Sequence, residues 1–206
     1  MLFGGYKRYM EKKKILILYA TVGSGHKSVT NSLYEYFIKN SNYEVKTLDL
    51  VEYENIIGFL SNKLFEQNFK YRLGSFIYSI YYELFDFKIQ PIPYKVMAKI
   101  VHKNKKLQQY ITSFNPDLVI STFFLGSIVM GILKEKKVTN AKVISIVTDY
   151  DGHEMFTKYK EELDAIIVSN EIVKNELIAK GVDGHKIYPF GIPVSRIFNN
   201  NNIDNN

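Results

Sequence analysis

No cysteine occurs in the chain, and that absence removes disulfides, thiolate chemistry and cysteine-ligated zinc. No apolar run reaches the roughly 18 residues that a membrane-spanning helix requires. The opening MLFGGYKRYMEKKK has no apolar centre and no cleavage site for export, so a cytoplasmic location is expected. Acidic residues are the scarcer charge: 21 against 27 Lys and Arg, a formal net charge of +6. This balance favours anionic partners, whether nucleic acid, phosphorylated substrates or lipid headgroups, and does not choose among them. Apolar content is not scarce. Hydrophobic residues make up 46% of 206 residues, enough for one domain with a real core and too much for a disordered chain.

The stretch ILILYATVGSGHKSVTNSL at 15–33 reads as strand, loop and helix. Residues 15–20 are apolar without alternation, as in a strand buried on both faces of a parallel sheet. Val29, Leu33 and Phe37 recur at helical spacing. The loop with Gly23, Ser24, Gly25 and His26 therefore falls at the carboxyl edge of a first strand, where open α/β sheets bind ligands. Residues 44–50 read as a second strand carrying Asp49 at its end, which completes a βαβ unit.

From 53 to 114 about sixty residues pass without a convincing strand, which marks an insertion. It is helical in period and rich in aromatics, and Pro91 and Pro93 break it because proline lacks an N–H and disfavours helix before it. Two helical pieces, a turn and a third helix over 94–114 are expected. That third helix carries Lys95, Lys99, Lys103, Lys105 and Lys106 without an acid and is basic and amphipathic. Beyond Pro116 the α/β rhythm resumes, with strands at 118–121, 142–148 and 165–168, helices at 127–136 and 171–180, and a short strand near Ile187. Residues 1–14 form a basic arm and 199–206 an asparagine-rich tail with nothing to bury. The expected fold is an α/β, Rossmann-like parallel sheet with helices on both faces and a helical, aromatic-rich insertion.

The loop matches neither common nucleotide motif. A Walker A loop needs glycine directly before its lysine, where His26 stands, and a dinucleotide fingerprint wants a small residue that Ser28 supplies weakly. Glycines still let a backbone approach an anion closely, and a histidine at that edge is suited to general-base work. The ordinary alternative is a tight turn with a surface histidine. A second cluster, TDYDGHEMF at 148–156, follows a strand and faces the same cleft. Asp149, Asp151 and His153 lack a recognised metal spacing, and turn chemistry with Asp149 as a helix cap is preferred; no metal is expected. The basic, aromatic insertion reads first as core, then as a membrane surface and only remotely as a single-strand nucleic-acid site. A nucleotide-binding enzyme with Asp49 on a ribose is a rival reading, as is a non-catalytic membrane-binding module.

Five segments in order, VGSGHKSVTNSL, YRLGSFIYSIYYELFDF, NPDLVISTF, VTDYDGHEMF and VSNEIVKNELIAKGVDGHKIYPFGIPVSRIF, resemble the amino-terminal half of the processive diacylglycerol glucosyltransferases and monogalactosyldiacylglycerol synthases. The bacterial lipid II glycosyltransferase is more distantly similar. The resemblance implies one half of a two-domain GT-B glycosyltransferase, with 15–198 as the acceptor-binding domain. Such enzymes transfer a hexose from a UDP-sugar to diacylglycerol with inversion, without a cofactor, as peripheral proteins on the inner face of the cell membrane. It makes His26 the base on the acceptor hydroxyl and sets Gly23, Ser24 and Gly25 towards the donor diphosphate. Asp149, His153 and Phe156 become an acceptor-side turn, with Phe156 where tryptophan is usual. The implied partners are diacylglycerol and an anionic membrane surface, without nucleic acid. The chain is then a truncated or split product, a half that works with a separately encoded donor domain, or a non-catalytic acceptor and membrane module. The chain passes from GIPVSRIF into asparagines where a carboxyl-terminal donor domain would follow, so this half is expected to be incomplete alone.

Overall fold

The computed structural model describes residues 11–21, 24–50, 53, 101, 103–152 and 154–195. Most of the insertion, both termini, Gly23 and His153 lie outside them. Six parallel strands form one sheet in the order β2-β1-β3-β4-β5-β6. These are β1 (Lys13–Tyr19), β2 (Tyr43–Asp49), β3 (Leu118–Ser121), β4 (Lys142–Ile146), β5 (Ala165–Ile167) and β6 (Ile187–Tyr188). Register pairs Leu18 of β1 with Leu48 and Ser121 on its two sides, and Ser121 in turn with Ser145. The continuous apolar run of β1 is explained by this position, since Ile15, Leu16, Ile17 and Leu18 are all buried between two neighbours and two faces.

Four helices cover the sheet among the described residues: α1 (Gly25–Ile38), α2 (Lys105–Phe114), α3 (Phe124–Glu135) and α4 (Glu171–Ala179). Side chains alternate across each strand and so divide between two cores. Leu16, Leu18, Val119, Val143 and Ile166 pack with the apolar sides of α2, α3 and α4. Ile15, Ile17, Ile120 and Ile146 face the other way, with Val29 of α1 and the partly buried Leu33 and Phe37. Helices thus lie on both faces, as the apolar pattern implies. Helix α3 is buried nearly all round and approaches the sheet through Gly126, where a Cβ would meet Ser121 Oγ at 2.3 Å and Leu18 Cβ at 3.1 Å.

Two expectations are corrected. The helix expected over 94–114 is interrupted, in its described part, at Asn104: this residue leaves helical geometry at φ −76°, ψ 83° and its side chain accepts the Leu107 N–H, starting α2 afresh. Helix α3 begins at Phe124 rather than 127, because LGS continues a buried helical face that the sequence pattern leaves unmarked. No helix among the described residues is long and apolar enough to cross a membrane.

Asp164 ties α3 to the sheet at the amino edge. It accepts from Lys142 Nζ at 2.7 Å, the Val143 N–H at 2.9 Å and Lys134 Nζ at 3.0 Å. Partial burial pushes its carboxyl up, but these bonds outweigh that effect and hold it below the usual carboxylate range. The contribution is complete above the unfolded value near 4 and is lost as pH falls through the lower folded value. Urea midpoints should therefore separate wild type from Asp164→Asn clearly at neutral pH and converge once pH falls below the lowered folded value. A gap of equal size at both ends would contradict this role.

Candidate active site

Sheet order reverses around β1: the chain steps from β1 to β2 on one side, then crosses back to place β3 on the other. The crevice between the carboxyl ends of β1 and β3 is the switch point at which open α/β sheets take their ligands. His26, in the first turn of α1, spans it. Its Nδ1 lies 2.7 Å from the carbonyl oxygen of Thr122, directly after β3, and 2.9 Å from Oγ1 of Thr148, just beyond β4. The Phe123 ring meets the imidazole edge-on, with centroids 4.8 Å apart. Thr122 is wholly buried, and its N–H donates to the Leu18 carbonyl at 3.0 Å. Its hydroxyl lies 3.0 Å from that of Thr30 in α1. The tips of β1, β3 and β4 thus converge on one imidazole.

Helices α1 and α3 both begin at this edge, and neither is capped by a side chain at Ser24 or Phe123. By contrast, Asn170 caps α4 with two bonds. Two positive helix ends therefore stand beside His26 without a side-chain cap at Ser24 or Phe123, a setting suited to phosphate oxygens. Gly25 has open space where a Cβ would lie, so the backbone at the start of α1 is approachable. Among the described residues no three His, Cys, Asp or Glu side chains group as metal ligands do.

The other residues singled out in the sequence divide. Ser24 and Gly25 are at this edge, and Asp149 follows Thr148 in the turn after β4, half-buried. Gly23 and His153 lie outside the described residues. Phe156, expected to face the acceptor, is instead a core ring: 1% exposed and edge-on to Phe124 at 6.1 Å, because the 3₁₀ turn Glu154–Thr157 folds it inwards. Asp49, the acid of the ribose reading, is 5% exposed. Its Oδ1 accepts the Thr21 N–H at 3.2 Å and its Oδ2 the Thr21 hydroxyl, so the carboxylate fastens the loop to β2 rather than presenting itself to a ligand. Thr148 begins the second cluster read in the sequence, whereas Thr122 and Thr30 were not expected at the site. For Thr122 the available signal was a threonine directly after the apolar strand LVIS.

This geometry selects a tautomer. A carbonyl oxygen only accepts, so Nδ1 carries the proton, shared with the Thr148 oxygen, and the lone pair of the neutral ring is at Nε2. Nitrogen-15 NMR should find the neutral His26 ring with a protonated Nδ1 and a bare Nε2. Thr148→Val should keep that pattern, since the principal acceptor is main chain. A predominantly Nε2–H ring would contradict it.

With this geometry in hand, known proteins can be compared. The family model described as monogalactosyldiacylglycerol (MGDG) synthase matches residues 26–194. The processive diacylglycerol beta-glucosyltransferase of Bacillus licheniformis is 29% identical over 192 residues, which is 90% of this chain and 47% of that protein. The protein of the same name from Bacillus subtilis is 27% identical over 188 residues, 88% of this chain and 46% of its own length. The chain spans about half the length of the curated relatives it matches. Among solved structures, the apo form of the lipopolysaccharide outer core galactosyltransferase WaaB superposes with a TM-score of 0.48 at 15% identity, covering 85% of this chain and 44% of that one. Since the family model takes in more than half of the residues, from His26 to Val194, this chain belongs to the monogalactosyldiacylglycerol synthase family.

Proposed function

We propose that this chain is the acceptor-binding half of a glycolipid glycosyltransferase that moves a hexose from a UDP-sugar to diacylglycerol on a membrane surface. The observation that carries this reading is the held imidazole: His26, in a family of lipid glycosyltransferases, has Nδ1 committed to the Thr122 carbonyl and Nε2 as its basic nitrogen. In the proposed step the diacylglycerol hydroxyl oxygen attacks the anomeric carbon. The bond from that carbon to the UDP phosphate oxygen breaks with its electron pair, and the hydroxyl proton passes to Nε2. Attack opposite the leaving group inverts the anomeric centre. The uncapped ends of α1 and α3 supply partial positive charge as the diphosphate leaves.

In this reading the donor sugar and most of its nucleotide are held by residues corresponding to the other half of the relatives, and no cofactor takes part. The net charge of +6 favours an anionic bilayer, and the chain works at the inner face of the cell membrane. Nucleic acid is not a partner.

Joining this chain to the donor-binding half of the Bacillus subtilis relative tests the assignment. With UDP-glucose and diacylglycerol vesicles, His26→Ala should lower kcat by about 10²–10⁴-fold and leave vesicle binding intact. A joined enzyme that turns over equally well without the imidazole would remove His26 from the chemistry.

A further inference from the structure

The turn after β4 is tied at both ends. At its start the Thr148 hydroxyl oxygen is 2.9 Å from His26 Nδ1. At its end Gly152 is buried against α4, where its N–H donates to Glu176 Oε2 at 2.8 Å and its carbonyl accepts from Lys180 Nζ. Glu176 in the last turns of α4 and Lys180, the residue that ends the helix, are four apart and grip the two polar groups of a single residue. Both bonds are charge-assisted and stronger than neutral ones. The contact is close: a Cβ at position 152 would lie 3.2 Å from Glu176 Cβ and from Leu177 Cγ and Cδ2, so a larger residue would have to push these neighbours back by a few tenths of an ångström.

Helix α4 does not depend on this grip for its own place, since Val173 and Leu177 are fully buried and Asn170 caps its start. What the grip fixes is the turn. Residues 148–152 reach at most about 14 Å when extended, so only a short segment separates the Gly152 contact from Thr148 and the imidazole. Asp149 and Asp151 are half-buried within that span, and Tyr150, 82% exposed, projects from it.

We propose that Glu176 and Lys180 are positioning residues: their clasp on Gly152 holds the 148–152 turn as one wall of the acceptor site, so that the pair governs recognition of a diacylglycerol headgroup without touching it. This rests on the acceptor reading given above. The test uses the full 206-residue chain and sedimentation with phosphatidylcholine vesicles, with and without dioleoylglycerol. The readout is the increment in binding that diacylglycerol adds, and far-UV circular dichroism and urea midpoints report folding. Glu176→Ala should cut the increment by about ten-fold with binding to plain vesicles unchanged. Glu176→Gln, which keeps an acceptor oxygen, should retain most of it. Lys180→Met releases the other side of the clasp and should behave like Glu176→Ala, which keeps the test open should that variant unfold.

A wild-type increment that survives in both releasing variants would overturn the clasp and leave the acceptor reading standing. Equal loss in Glu176→Gln and Glu176→Ala would point to general disturbance and also overturn it. Absence of any increment in the wild type would instead overturn the acceptor reading, and the clasp with it.

Discussion

The hydrogen bond from His26 Nδ1 to the Thr122 carbonyl, 2.7 Å long, is the contact on which the functional reading depends. It joins the first turn of α1 to the end of β3 across the point where strand order reverses. Because its acceptor is main chain, no substitution at position 122 that preserves the backbone removes it. It also decides which nitrogen is basic. An imidazole free to rotate or to exchange tautomers would offer Nε2 only part of the time, whereas a held ring would, in the proposed reaction, present the same lone pair to each incoming hydroxyl. The buried Thr30 and Thr122 hydroxyls, 3.0 Å apart, brace the two elements that hold the ring.

The rest of the fold serves that contact. A sheet buried on both faces makes β1 and β3 stiff supports, and Gly126 lets α3 settle close enough that Phe123 meets the imidazole edge. Asp49 fastens the beginning of the glycine loop to β2. The uncapped starts of α1 and α3 leave positive helix ends beside His26. In the proposed reaction these dipoles and the imidazole share one edge of the sheet, the pairing a glycosyl transfer from a diphosphate needs.

Much of this was legible in the sequence, because parallel strands buried on both faces declare themselves as unbroken apolar runs. Strands β1, β3 and β5 fall within two residues of their expected places, and the glycine loop does lead into α1. Phe156 on the acceptor side was an implication of the family resemblance, and the 3₁₀ turn and the Phe124 contact instead place this ring in the core. Asp49 looked available because its bonds to Thr21 reach across 28 residues and leave no mark on local pattern. The parts played by Thr122 and Thr30 leave no such mark either, because they depend on strand ends and α1 meeting in space. Helix α2 was drawn too long because the basic residues on both sides of Asn104 hide a cap that only its geometry discloses.

The chain belongs to the monogalactosyldiacylglycerol synthase family and spans about half the length of the curated relatives it matches; in the function proposed above it contributes the base to a larger catalytic unit. The most direct test of that account is a structure of the chain with dioctanoylglycerol. The account predicts the free hydroxyl oxygen within about 3.2 Å of His26 Nε2, with Nδ1 still on the Thr122 carbonyl. A lipid seated with its hydroxyl away from the crevice, or an imidazole turned so that Nε2 bonds the protein instead, would contradict it.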